Sequence, residues 1–178
     1  GMGIVVFYIA VLPLLGVGGV QLFKAEVPGP VADKIKPRVR ETAKFLWIIY
    51  VGITSIEIIA LRIAGMETFD SICHAFTTMP TGGFSTKNAS LAHYDNPMIH
   101  YIIIFFMFLA GINFSLHFHA MSGSIKTYFR DTEFLVYFLI IISISSIIFF
   151  SLSYQSNTFS DLTLRESLFG TIAMLTGT

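Results

Sequence analysis

Four apolar runs, each close to the length a bilayer demands, dominate this chain: residues 1–22, 45–65, 97–120 and 134–154. A hydrocarbon core about 30 Å thick needs about 20 apolar residues in a helix, because lipid offers the backbone no partner and a helix satisfies its own. Composition agrees, with 54% hydrophobic and 12% charged residues, where a soluble domain carries about 25% charged. Mean hydropathy is +0.73. The expected fold is an all-α polytopic membrane protein. The amino end, "GMGIVVFYIAVLPLLGVGG", carries neither a charged n-region nor a cleavage site and reads as a span rather than a signal peptide.

Charge is balanced, 11 basic against 11 acidic residues, so electrostatics gives no general argument for nucleic acid as a partner. Its distribution says more. Lys24, Lys34, Lys36, Arg38, Arg40 and Lys44 fill the connection at 23–44, and Lys126 and Arg130 lie in the one at 121–133. By the positive-inside rule both loops face the cytoplasm. A single cysteine, Cys73, excludes an internal disulfide and a multi-cysteine metal site.

That topology constrains residues 66–96, which must begin and end on the outer side yet contain "METFDSICHAFTTMPTGGFST". A half-helix is expected at 67–79, whose stretch from Thr68 to Met79 is roughly 18 Å long at about 1.5 Å per residue, too short to cross. A re-entrant half-helix fits: Thr68 or Asp70 can cap its start, Glu67 and Asp70 suit the positive end of its dipole, and Pro80 stops it at mid-membrane. Non-helical backbone inside a bilayer is tolerated where protein buries it or where it lines a water-filled path. In "TGGFST" at 81–86, Gly82 and Gly83 allow conformations closed to other residues, and Thr81, Ser85 and Thr86 add uncharged oxygens. Such oxygens at the negative end of a half-helix suit a partly dehydrated cation. A re-entrant hairpin that merely packs fits the same residues.

The pattern repeats. After the run at 134–154, "SDLTLRESLFGTIAMLTGT" again gives polar residues, an acid, a short apolar run, then threonine and glycine, with a half-helix expected at 161–175 and a filter start at 176–178. An offset of 96 pairs Asp70 with Glu166, Thr81 with Gly177 and Gly82 with Thr178; an offset of 95 pairs the two Thr-Gly steps and loses the acid pair. The first offset predicts glycine as the residue after Thr178.

"TGGFST", followed by "DNPMIHYIIIFFMFLAGINFSLHFHAMSG" and preceded by "LGVGGVQLFKAEVPGP" and "RVRETAKFLWIIY", closely resembles the TrkH/TrkG branch of bacterial potassium transporters, relatives of KtrB, along essentially the whole chain. The resemblance implies a larger protein with four potassium-channel-like repeats around one pore, each giving one filter strand. Here 1–22 would be the last helix of the first repeat, 45–120 the second repeat and 134–178 part of the third. Two filter strands cannot enclose an ion, so transport belongs to the complete protein. Carried over by motif, Thr81, Gly82, Gly83, Phe84 and Ser85 match the second filter strand. The carbonyls of Thr81, Gly82 and Gly83 are the expected K+ ligands, and Phe84 is expected to pack behind them. Gly177 and Thr178 match the start of the third strand, where the sequence departs from the family pattern. The resemblance further implies K+ as the transported ion, the bacterial inner membrane, a homodimer, and a cytosolic TrkA-type nucleotide-binding ring as partner.

Other polar residues have duller readings beside functional ones. Glu57 lies eight residues inside the outer end at Gly65, roughly 12 Å deep, where an unpaired charge is costly; it is expected to hydrogen-bond the scaffold behind the filter. Asn113 can reach the pore or bond across helices. His74 reads as a packed histidine bonding a neighbour. His117 and His119, two apart, share no helix face and suggest no metal site. A secondary transporter would show unwound spanning helices rather than short half-helices, and no spacing suggests an enzyme's nucleophile and base.

Overall fold

A computed structural model describes residues 39–121, 126–156 and 160–178, and all regular structure among them is helical. The expected span at 1–22 and the loop as far as 38 lie outside the described residues. Helix α1 (Val39–Ile63) begins inside what the sequence suggested was a loop to 44. It buries Leu46, Ile49, Glu57 and Leu61 along one stripe, the three- and four-residue spacing of a helix face. Gly65 ends it at φ +98: its amide reaches Arg62 O at 3.2 Å and that of Met66 reaches Leu61 O at 3.1 Å, the paired bonds of a Schellman turn.

Helix α2 (Thr68–Thr78) is the expected half-helix, 11 residues long, and packs against α1. Its start differs from expectation. Glu67 is the N-cap and no side chain caps the helix; neither Thr68 nor Asp70 does so, because the Asp70 carboxylate is engaged further along the chain. After the loop and a 3₁₀ turn at Ser90–His93, Asn96 caps α3 (Pro97–Ala110) by accepting from the Met98 amide, with Pro97 in the first turn. Asn96 also donates to Ala64 O at 2.7 Å, which ties the start of α3 to the end of α1.

The expected single helix at 97–120 is two. It breaks at Gly111–Asn113 and resumes as α4 (Phe114–Met121). A Cβ at Gly111 would collide with the Tyr137 ring and, at 2.9 Å, with Thr176 Cγ2; only glycine lets those side chains approach. A break disturbs the carbonyl partners of the last turn in apolar surroundings, and here side chains add donors, beside the Ile112 amide that reaches Leu109 O at 3.1 Å. Tyr137 donates to Phe108 O at 3.5 Å. His117 lies 3.1 Å from Leu109 O through Nε2 and 2.6 Å from the Tyr128 hydroxyl through Nδ1. Since a carbonyl only accepts, Nε2 carries the proton and Nδ1 accepts from Tyr128.

The connection expected as a loop at 121–133 contains α5 (Lys126–Arg130) and the first turn of α6 (Thr132–Ser156). Helix α7 (Asp161–Thr176) then lies against α3 and α6. Ser160 caps it by accepting from the Thr163 amide at 3.2 Å. Within α1 and α6, Phe45–Ile63 and Thr132–Tyr154 are each long and apolar enough to cross a membrane, whereas α3 is a shorter apolar helix. Leu61, Ile103, Met107, Ile141 and Ile172 form a core that joins α1, α3, α6 and α7, so the two repeated units share one packed interior.

Candidate functional site

Helix α2 ends in a second Schellman turn, and this one is strained. Thr81 N donates to Thr78 O at 3.0 Å and Gly82 N to Thr77 O at 2.6 Å, which places Thr81 at the left-handed position with φ 57. A β-branched residue there is an outlier, at a cost of about 1–2 kcal/mol. The turn aims the chain away from the helix. Beyond it, the carbonyls of Thr81, Gly82 and Gly83 accept no hydrogen bond among the described residues, and the two glycines are exposed on the surface of this chain.

Helix α7 ends in a related left-handed turn. Gly177 N and Thr178 N both bond Ala173 O, at 2.9 and 3.0 Å, with Gly177 left-handed at φ 76. Backbone and burial decide the repeat register. The offset of 96 pairs the left-handed Thr81 with the left-handed Gly177, and pairs Ser71 with Ser167, both 0% exposed. The offset of 95 sets buried Ser71 against exposed Glu166. The two turns also meet: a Cβ at Gly83, whose φ is +68, would lie 2.6 Å from the carbonyl carbon of Thr178. Glycine at 83 is therefore required by backbone conformation and by close approach of the second strand.

Side chains of α2 hold the segment after the turn. His74 Nε2 lies 3.0 Å from Ser85 Oγ, and the Thr77 hydroxyl lies 2.8 Å from Phe84 O and 3.0 Å from His74 O, one proton serving both. The buried Asp70 carboxylate accepts from the Thr86 hydroxyl at 2.7 Å and the Tyr94 hydroxyl at 2.8 Å, and pairs with Lys87 Nζ at 3.1 Å. The Thr86 and Tyr94 hydrogen bonds, with Lys87, hold its carboxyl down at about 2. Burial and the Asp70 partner push the Tyr94 phenol up to about 12.

Three further residues singled out in the sequence are placed as follows. The Phe84 side chain is 77% exposed in this chain, and its carbonyl accepts from the Thr77 hydroxyl, so hydrogen bonds to α2 hold the 81–86 segment. Glu57 is fully buried, yet neither carboxyl oxygen has a hydrogen-bond partner among the described residues; neighbouring Thr78 donates to His74 O at 2.8 Å. Asn113 sits at the helix break, half-buried, with its carbonyl accepting from Leu116 N at 2.9 Å. Sequence reasoning missed the Asp70 tether and the break. The Asp70 signal is faint: an acid at a half-helix start looks like a cap until the fold brings Thr86 and Tyr94 to it.

The model of the TrkH cation transport protein family matches residues 1–176. The chain belongs to the TrkH family. It is 44% identical over 182 residues to the Trk system potassium uptake protein TrkH of Escherichia coli K12, covering 99% of this chain and 37% of that protein. It is 41% identical over 143 residues to TrkG of the same organism, covering 79% of this chain and 29% of that one. The crystal structure of the potassium transporter TrkH from Vibrio parahaemolyticus superposes with a TM-score of 0.75 at 34% identity, over 97% of this chain and 35% of that one. The chain thus spans a little over a third of the length of its TrkH relatives and shares their helical membrane fold.

Proposed function

We propose that the complete protein is the pore-forming subunit of a bacterial potassium uptake system, and that this chain supplies one filter strand, at Thr81–Ser85, and the start of another at Gly177 and Thr178. One observation carries the reading. Three successive carbonyls, of Thr81, Gly82 and Gly83, lie past the negative end of a half-helix without a hydrogen-bond donor among the described residues. Carbonyl dipoles so placed replace water around a cation. The Gly83 contact with Thr178 supports two strands converging on one path, and the relatives' shared name, potassium uptake protein, supports K+ as the ion. A secondary-transporter reading would put the ion at the broken spanning helix instead, but the Phe108 and Leu109 carbonyls freed there already have donors. The inner membrane, with 23–44 and 121–133 on its cytoplasmic face, a homodimer and a cytosolic TrkA-type regulator complete the proposal.

The test is rubidium uptake, with sodium as competitor, by the full-length protein in a bacterium lacking its own potassium uptake. Gly83→Asp at matched expression is expected to lower uptake about a hundredfold or remove its resistance to sodium, since a small misplacement at a reacting or binding centre costs on that scale. Uptake and preference equal to wild type would show that "TGGFST" is structural backbone.

A further inference from the structure

The filter strand needs a rigid post behind it, because a carbonyl site discriminates cations by the number and placement of oxygens. His74 is 3% exposed and fixed from two sides before it reaches the strand. Its Nδ1 lies 2.8 Å from Asp70 O, one turn back in α2, and its ring meets the Tyr94 ring edge-on, centroids 5.7 Å apart and planes at 82°. Tyr94 is itself held by Asp70.

The proton assignment follows from the partners. The Asp70 carbonyl can only accept, so Nδ1 carries the hydrogen; in the neutral ring Nε2 then accepts from the Ser85 hydroxyl at 3.0 Å. Ser85 Oγ in turn accepts from the Lys87 amide at 3.2 Å. A donor chain therefore runs from the Lys87 backbone through Ser85 and His74 to the backbone of α2, with both ring nitrogens used. A small cleft of about 50 Å³ between α2, α3 and α7 touches His74, Ser85, Gly83 and Thr178.

We propose that His74 is a positioning residue for ion selection: through its Nε2 bond to Ser85 it sets the distance of the Thr81–Gly83 carbonyls from the half-helix. This rests on the filter reading above. The outer tether at Asp70 acts on Thr86 and beyond, whereas His74 acts on the strand within two residues of Gly83.

The experiment uses the full-length protein in the same rubidium uptake assay, with sodium competition and membrane abundance matched. Asparagine at 74 can keep the Nδ1-type donor to Asp70 O and cannot reach Ser85; glutamine can place its carbonyl oxygen where Nε2 lies. His74→Ala and His74→Asn are expected to lower rubidium-over-sodium preference about tenfold, the scale of one hydrogen bond lost where ions are compared. His74→Gln restores most of it, Ser85→Ala reproduces the loss, and His74→Ala combined with Ser85→Ala is no worse than either alone. Wild-type preference in His74→Asn or in Ser85→Ala overturns the inference, and so does equal loss in His74→Gln and His74→Asn, which a packing role predicts. If His74→Ala fails to reach the membrane, the asparagine, glutamine and Ser85 variants still decide. Failure of the wild type itself to prefer rubidium overturns the filter reading instead.

Discussion

Two departures from helical backbone among the described residues, at Gly111–Asn113 and at Thr81–Gly83, are treated in opposite ways. At Gly111–Asn113, between α3 and α4, the Phe108 carbonyl is taken by Tyr137 and that of Leu109 by the Ile112 amide and His117, and glycine relieves the crowding. At Thr81–Gly83 the carbonyls accept nothing among the described residues, and a threonine is held left-handed where glycine is the default. An unpaired carbonyl in lipid costs free energy that a neighbouring hydroxyl or imidazole can offset. Where such a group stands nearby and bonds the backbone, the break is structural. Where a hydroxyl and an imidazole of the preceding helix bond the segment at Phe84 and Ser85 and leave three carbonyls open, the arrangement suits an ion.

The contrast is sharpest at Thr81. Thr81→Gly removes the left-handed strain, worth about 1–2 kcal/mol, against a smaller unfolded-state entropy cost of about 0.4–1 kcal/mol. The thermal midpoint in detergent is expected to hold or rise while rubidium-over-sodium preference falls about tenfold, the pattern of strain kept for function. A lowered midpoint with preference intact would remove the distinction between the two bends.

At the other bend the signs reverse. His117→Phe leaves the Tyr128 hydroxyl without its acceptor and Leu109 O with the Ile112 amide alone, and is expected to destabilise the protein by about 1–3 kcal/mol. Preference should stay within about twofold of wild type. A large selectivity change with unaltered stability would make the Gly111 break part of the ion path.

The smallest effect is at the outer tether. Asp70 has its carboxyl held at about 2, below an ordinary value near 4. The tether therefore contributes fully above about pH 4, and its contribution is lost as pH falls from there toward 2. Asp70→Asn should lower the midpoint by a few degrees at neutral pH and flatten its fall across that acid window; an unchanged acid profile would mean that Thr86, Tyr94 and Lys87 do not hold the carboxylate in solution.

Much of the design was legible without coordinates. Length and hydropathy located α1 and α6, because a bilayer accepts so few backbone solutions. The 11-residue half-helix and its end near Pro80 followed from apolar residues too few to cross. The filter candidates stood out as glycine and hydroxyl residues inside a hydrophobic chain. Tertiary structure decided what depends on distant approach. Gly111 looked like one small residue in a continuous helix until Tyr137 and Thr176 came to lie against it. Asp70 read as a helix cap until the loop brought Tyr94 from 24 residues away. The register of the repeat was ambiguous by spacing and became definite through φ at Thr81 and Gly177 and burial at Ser71 and Ser167. Sequence alone picked out the two described helices long and apolar enough to cross a membrane, because that property belongs to each segment against lipid. Which carbonyls find a partner there was left to contacts between segments, which no local pattern encodes.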